Sequence, residues 1–293
     1  MASDGAGRVS RGDARSVGAL SMELQLLLSD PSARVAHEII AALLDVPRFW
    51  PSANGADAVD DVVCKAARVA AARLQAGAPF AYAVRRAAFR HLVLDVDERV
   101  LIPRPETEGL VEEVLRLSAG MTGCAIDVGT GSGAIALSLA SEGTFEVVVG
   151  TDVSLDALAV ARQNGARLAG ALRSRLEFRH GSLLAPVHDL RACVIVSNPP
   201  YIAYHEAEQL PASVRDWEPA LALFSGAEGT LTTTAIIRGA ADLLETGGIL
   251  ALEVDARRAS LAAESLAVDS RYREIAVRLD LAGRERFVIA RRC

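Results

Sequence analysis

The chain of 293 residues carries 31 Lys and Arg against 37 Asp and Glu, a formal net charge of −6, with 51% hydrophobic and 23% charged residues. That length admits a full catalytic domain with a smaller companion, and the acidic balance excludes the global basic field that drives nucleic-acid binding. Cys64, Cys124, Cys193 and Cys293 lie far apart, the five histidines are scattered, and no apolar run reaches the length of a membrane span or of a signal-peptide core, so a metal-free cytoplasmic protein that keeps clear of membranes is expected.

Residues 1–18 are rich in Gly, Ser and Arg without periodicity and are expected to form a disordered tail. From 19 to 78 the pattern turns helical, in "ELQLLLSD", "PSARVAHEIIAALLDV" and "DAVDDVVCKAARVAAARLQAG", punctuated by Pro31 and Pro51 and stopped by Gly77. A small helical bundle is the expectation. The alternation in "FRHLVLDVDERVLIP" predicts a β-hairpin linking two domains within 79–103, and the remainder, 104–293, forms the second domain. There the strands "CAIDVG", "FEVVVGTDV", "RLEFRHG", "ACVIVSN" and "GILALEV" are interleaved with helical runs such as "GAIALSLAS", "LDALAVARQNGARLAG" and "TTAIIRGAADLLET". A terminal antiparallel pair, "YREIAVRLD" and "RERFVIARR", completes a seven-stranded, mostly parallel, doubly wound α/β sheet.

The first of these strands runs into Gly129-Thr130-Gly131-Ser132-Gly133, a strand-to-helix turn that needs positive φ and close backbone approach. The spacing is GxGxG, not the GxGxxG of the dinucleotide fingerprint. Glycine-rich turns of this kind are common in α/β proteins, but here Asp127 precedes the glycines and Asp152 ends the next strand, where an acid can bind ribose hydroxyls. Together they resemble the S-adenosylmethionine site of a Rossmann-like class I methyltransferase. That resemblance places the glycine turn against the methionine portion, Asp127 near its ammonium group, Asp152 on the ribose and Ser182 and Leu183 beside the adenine. Asp156 belongs to the start of the following helix, where an acid complements the dipole.

The fourth strand ends on Asn198-Pro199-Pro200-Tyr201. Two prolines remove two backbone donors and stiffen the turn, at the sheet edge where doubly wound folds bind ligands. Methyltransferases with this tetrapeptide act on nitrogens conjugated to a π-system: adenine N6, guanine N2 or a glutamine side-chain amide. Asn198 Oδ1 and the Pro199 carbonyl are the natural acceptors for both N–H groups of such a planar –NH2, with Asn198 also near the cofactor, and Tyr201 is expected to pack against the planar group. Catalysis would then consist of orientation and electrostatic preorganisation.

The run Ile102-Pro103-Arg104-Pro105-Glu106-Thr107-Glu108, by itself readable as a linker and a capped helix, chooses among these targets when joined to the glycine turn and to Asn-Pro-Pro-Tyr-Ile. From about Ala33 to the C-terminus the chain resembles the HemK/PrmC family of peptide chain release factor N5-glutamine methyltransferases. The "DWEP" segment (Asp216–Pro219) and the terminal "DLAGRERFV" belong to the same likeness. The resemblance implies a Gly-Gly-Gln loop of a release factor as substrate, a helical domain that helps to bind the factor, and Arg104 and Glu106 as residues shaping the substrate pocket. Three positions depart from the family's pattern: Arg85 where Gly is usual, Ser182 where an acid is common, and Asp255 where Glu-x-Gly often follows the fifth strand. They leave open a nucleobase, another protein's glutamine amide, or a non-catalytic binding module as alternatives.

Overall fold

The computed structural model describes residues 15–29 and 32–293, which divide into two compact units, one ending at Val84 and the other running from Arg85 to Cys293. In the first unit, β1 (Arg15–Ser16) leads into α1 (Val17–Leu28), followed by α2 (Arg34–Leu44), the short α3 (Trp50–Ala53), β2 (Ala58–Val59), α4 (Asp61–Gln75) and α5 (Phe80–Val84). Ser16 caps α1 by accepting the Ala19 N–H, and Asp60 caps α4 by accepting the Val63 N–H at 2.7 Å. Leu20, Leu24, Ile39, Ile40, Ala67 and Ala71 recur at helical spacing and close the core of this bundle. The expected tail is shorter than the composition implies: Arg15 and Ser16 pair with Val59 and Ala58, and the helix begins at Val17. The rest of that tail lies outside the described residues.

The second unit opens with the hairpin β3 (Arg86–Phe89) and β4 (Leu92–Asp95), then α6 (Pro105–Leu117), β5 (Cys124–Val128), α7 (Ala134–Glu142), β6 (Val147–Asp152), α8 (Leu155–Arg167), β7 (Arg175–His180) and β8 (Ala192–Ser197). The short helices α9 (Ala212–Arg215) and α10 (Ala220–Leu223) precede α11 (Leu231–Leu243), β9 (Leu244–Glu253), α12 (Ala259–Val268), β10 (Tyr272–Leu279) and β11 (Glu285–Arg292). The seven-stranded sheet has the order β10-β11-β9-β8-β5-β6-β7, with β5 to β9 parallel and the last two strands antiparallel. Strands β5 and β8 are buried along their whole length, as expected where helices cover both faces of a parallel sheet. The chain moves outward from β5 through β6 to β7 and then returns to place β8 on the other side of β5. That reversal is the topological switch point, and the crevice at the strands' carboxyl ends lies there.

The hairpin is no free linker. Asn164 on α8 donates to the Asp95 carbonyl and accepts the Asp95 N–H, and Arg90 at the hairpin turn forms a two-pronged ion pair with Glu142 on α7. These bonds fasten it to the sheet domain, so the unit boundary falls at Val84/Arg85, ahead of the hairpin. Arg85 itself has φ +60, the left-handed region that costs an L-residue about 1–2 kcal/mol. A glycine at this position would adopt the same backbone conformation without that steric cost. Arg85→Gly is expected to stabilise the protein by about 0.5 kcal/mol after the entropy of the freer residue is subtracted, read as a higher urea midpoint; a lower midpoint would refute the strain.

Candidate active site

The glycine turn is built by backbone geometry and one buried acid. Gly129 (φ +74) and Gly133 (φ +86) adopt conformations that L-side chains avoid, and Gly133 starts α7. Asp127, on the buried strand β5, accepts the Thr130 hydroxyl at 2.7 Å and the Ala136 N–H at 3.1 Å on Oδ2, tying the turn to the first turn of α7. Its Oδ1 is buried without a hydrogen-bond partner among the described residues. Burial lifts the carboxyl from its ordinary 3.8 to about 7, against the lowering effect of the Thr130 and Ala136 donors. On the neighbouring strand Asp152 ends β6 and accepts the Gly131 N–H and the Ser154 N–H, both at 2.9 Å.

A cleft of about 630 Å³ opens at these carboxyl ends. Gly129, Gly131, Asp152, Ser182, Leu183, Asn198, Pro199 and Pro200 all line it, so the structure brings the core of the expected site together. Asp127, Thr130, Ser132 and Gly133 do not line it; they stand behind the turn and set its shape. Ser132 does so through its carbonyl, which accepts from Asn164. The residues fit a nucleoside-bearing cofactor on three counts. A Cβ at Gly129 or Gly131 would meet nothing within 4 Å, so the turn leaves an open cradle; Asp152 retains carboxylate lone pairs facing the cleft; and Val153, Leu183, Leu221 and Phe224 supply apolar wall.

The substrate turn is held by polar ties that the sequence pattern did not announce. Pro105 opens α6 and holds Arg104 extended (φ −102, ψ 144), after which Thr107, Leu110, Val111 and Val114 bury one face of the helix. Thr107 thereby meets the turn: the Asn198 Nδ2 donates to Thr107 Oγ1 at 3.1 Å, and the Thr107 hydroxyl donates to Glu253 Oε2 at 2.7 Å. Neither Asn198 Oδ1 nor the Pro199 carbonyl accepts a hydrogen bond from a described residue. Farther along, Glu206 accepts the Ala203 N–H at 2.8 Å and pairs with Arg258 at 2.8 Å, while Arg258 also donates to the Glu228 carbonyl. Burial opposes ionisation of Glu206, but the Ala203 N–H and the guanidinium outweigh it and hold the carboxyl below its ordinary value.

Three expected residues stand elsewhere. Tyr201 lines a separate cavity of about 490 Å³ bounded by α11 and α12, not the cleft, and burial pushes its hydroxyl up to about 12. Its side chain is therefore not among those that line the cleft. Arg104 pairs with the buried Glu218 of the "DWEP" segment, whose other oxygen accepts the Ile102 N–H, so Arg104 joins two loops instead of facing the cleft. Glu106 is exposed in the first turn of α6. Glu98, Arg99, Val100 and Leu101, expected within the hairpin linker, instead follow β4 and line the cleft. Thr107, Glu218 and Glu253 were missed as partners because their contacts span 91 to 146 residues. Among the described residues, no helix is long and apolar enough to cross a membrane, and no group of three or more His, Cys, Asp or Glu could hold a metal.

Comparison with known proteins identifies the family. A protein from Moorella thermoacetica named release factor glutamine methyltransferase is 41% identical over 221 residues, covering 75% of this chain and 77% of that one. The chain belongs to the release factor glutamine methyltransferase family. Members from Gloeobacter violaceus (36% identical, 89% of this chain and 91% of that one) and Cereibacter sphaeroides (43%, 67% and 68%) carry the same name. The domain family described as "Methyltransferase small domain" matches residues 105–214. The solved hMettl16 catalytic domain, in complex with the MAT2A 3'UTR hairpin 6, superposes with TM-score 0.55 at 15% identity, covering 81% of this chain and 84% of that one, which establishes the class I methyltransferase fold alone. The donor for this family is S-adenosylmethionine, and the cradle described above fits it.

Two outcomes are expected at this site. Because the folded protein binds the Asp127 proton more tightly than the unfolded chain, the contribution of that group to stability is complete below about pH 4 and is lost as pH rises toward 7. Relative to the parent, Asp127→Asn should therefore gain stability from pH 5 up to about pH 7 and level off above it in cofactor-free urea titrations; a constant difference across that range would show that the carboxyl does not titrate there. Asp152→Ala should weaken S-adenosylmethionine binding by about 10- to 100-fold in calorimetry, through lost hydrogen bonds to a charged acceptor, and unchanged affinity would remove Asp152 from the cofactor site.

Proposed function

We propose that this protein transfers the methyl group of S-adenosylmethionine to the side-chain amide nitrogen (N5) of the glutamine in the Gly-Gly-Gln loop of peptide chain release factors. The observation that carries the reading is Asn198. It stands at the carboxyl end of β8, one strand from the glycine cradle, with its Nδ2 committed to Thr107 and its Oδ1 left for a ligand. Its setting is a chain of the release factor glutamine methyltransferase family.

Bound S-adenosylmethionine supplies an electrophilic methyl group on a sulfonium sulfur. The protein's task is set by the target, because an amide nitrogen is a weak nucleophile whose lone pair is delocalised into its carbonyl. Asn198 Oδ1 and the Pro199 carbonyl accept the two N–H bonds, fix the plane of the –NH2 and oppose the positive charge that grows on nitrogen as its bond to the methyl carbon forms. The Pro199-Pro200 pair keeps both acceptors from collapsing onto neighbouring N–H groups. One amide proton is then lost to water. A neighbouring pair of glycines in the substrate suits a narrow cleft, since no side chain on them opposes close approach of backbone.

Arg104 acts on the pocket indirectly, by clamping Glu218, and Glu106 contributes negative charge at the mouth of α6. The helical unit is the proposed docking surface for the release factor body, and it leaves apolar side chains exposed in register: Met22 and Leu26 on α1, Val62 and Val69 on α4. The reaction is assigned to a protein in the cytoplasm, without membrane or direct nucleic-acid partners.

Intact-mass spectrometry of a bacterial release factor incubated with the protein and S-adenosylmethionine should show a single methyl addition, absent when the Gly-Gly-Gln glutamine is replaced by alanine. No addition, with cofactor binding intact, would redirect the search to another amide or a nucleobase. Asn198→Ala should reduce turnover by about 100- to 1,000-fold while changing cofactor affinity little, since it removes orientation at the reacting nitrogen. Retained turnover would sink the assignment.

A further inference from the structure

Resting on the methyl-transfer reading, we infer that Thr107 and Glu253 are positioning residues, forming a directional hydrogen-bond relay that holds Asn198 with its Oδ1 presented to the substrate. An asparagine amide has two faces of nearly equal shape and opposite polarity, and only the oxygen face can accept from a target –NH2. Something must choose between them. Nothing in the Asn-Pro-Pro-Tyr turn itself does so.

The choice is made by proton counting along the chain of contacts. An ionised Glu253 carboxylate only accepts, so the Thr107 hydroxyl, 2.7 Å from Oε2, has to spend its one proton there. The Thr107 oxygen is then an acceptor toward Asn198, and the side-chain group facing it at 3.1 Å must be Nδ2. Oδ1 is left facing the cleft that Asn198 lines. Thr107 is 5% exposed and Glu253 1%, so water does not compete within the relay. The contacts come from three elements, α6, β9 and the turn after β8, which locks the amide to the scaffold.

Protonation of Glu253 on Oε2, the oxygen that faces Thr107, reverses the polarity. A neutral carboxylic acid donates to the Thr107 oxygen, which frees the hydroxyl proton for Asn198 Oδ1. The amide then turns, and Nδ2 confronts a substrate that also offers only N–H groups. Burial, opposed by the Thr107 hydroxyl, raises the Glu253 carboxyl to about 7, so this inversion falls within a measurable range. The charged and titratable groups facing Glu253 are Arg286 on β11, Arg104 and Glu106 at the start of α6, and Tyr201 on the turn. Arg286 is engaged with Asp280 and the Val254 carbonyl, and Arg104 with Glu218, which leaves Thr107 as the direct partner in the relay.

The test compares Thr107→Val, which keeps shape and β-branching but loses the hydroxyl, with Thr107→Ser, which keeps the hydroxyl. Thr107→Val should lower kcat for release factor methylation by about 10- to 100-fold, with KM and cofactor Kd within about threefold of the parent; Thr107→Ser should recover the rate to within about threefold. An unchanged kcat in Thr107→Val, or a Thr107→Ser variant as impaired as Thr107→Val, would overturn the relay. The kcat of the parent should fall on the acid side of about pH 7, and Glu253→Gln should lose that limb; its persistence would also overturn the inference. A readout without substrate separates this from failure of the functional reading. In the cofactor-bound protein, the Asn198 side-chain 15NH2 resonances, assigned by their disappearance in Asn198→Ala, should move with a midpoint near pH 7 in the parent and stay fixed in Glu253→Gln. Resonances that do not titrate in the parent would refute the relay even if no release factor is methylated.

Discussion

The pairing of β5 with β8 is the constraint on which the site depends. Ala125, Ile126 and Asp127 lie opposite Val194, Ile195 and Val196 in a fully buried parallel ladder, and the chain leaves both strands at the same edge of the sheet. The glycine turn therefore begins beside the Asn-Pro-Pro turn, although about 70 residues separate them. Parallel neighbours need long crossover connections, so the two turns could be brought together only by burying apolar surface on both faces of the sheet. The cofactor cradle and the substrate acceptors owe their shared cleft to that burial.

The two turns achieve rigidity by different means. The cofactor turn relies on glycines in left-handed conformations, with Asp127 behind it collecting the Thr130 hydroxyl and the Ala136 N–H. Its surface toward the cleft is bare backbone, which suits close approach by a ligand. The substrate turn relies on prolines, which cannot donate and so leave carbonyls and the Asn198 oxygen available. One turn is tightened by removing side chains and the other by removing donors.

Beyond both turns, the loops of the site are fixed by buried polar ties instead of apolar packing. Glu206 with Arg258, Glu218 with Arg104, and Glu253 with Thr107 each bind a loop or turn of the cleft region to a distant element. Burying a charge is costly, and removing one partner of an ion pair buried on both sides, as Glu206 and Arg258 are, typically costs about 3–5 kcal/mol because the other remains uncompensated. Ties of this kind are poor sources of net stability, but they are directional. They fix where a side chain's donors and acceptors point, which apolar contacts do not do, and a methyl transfer that depends on orientation needs that property more than it needs stability.

Local chemistry determined much of this protein. The period-two and 3.6-residue patterns from Cys124 onward correspond to the seven-stranded sheet and its helices, and the helical periodicity of the N-terminal third to its bundle, because each rests on residues adjacent in the chain. The grouping of Gly129, Gly131, Asp152, Ser182, Leu183 and Asn198 came from the family resemblance, and strand pairing brings them to one cleft. The tertiary structure decided what lies beyond that range. It fastened the hairpin to the sheet domain through Asn164 and Arg90, turned Tyr201 into a separate cavity, drew Arg104 onto Glu218, and placed Thr107 between Asn198 and Glu253. A hydrogen bond between residues 91 or 146 positions apart leaves no trace in spacing or composition. Its partners are chosen by strand order and helix packing, and those exist only once the chain has folded.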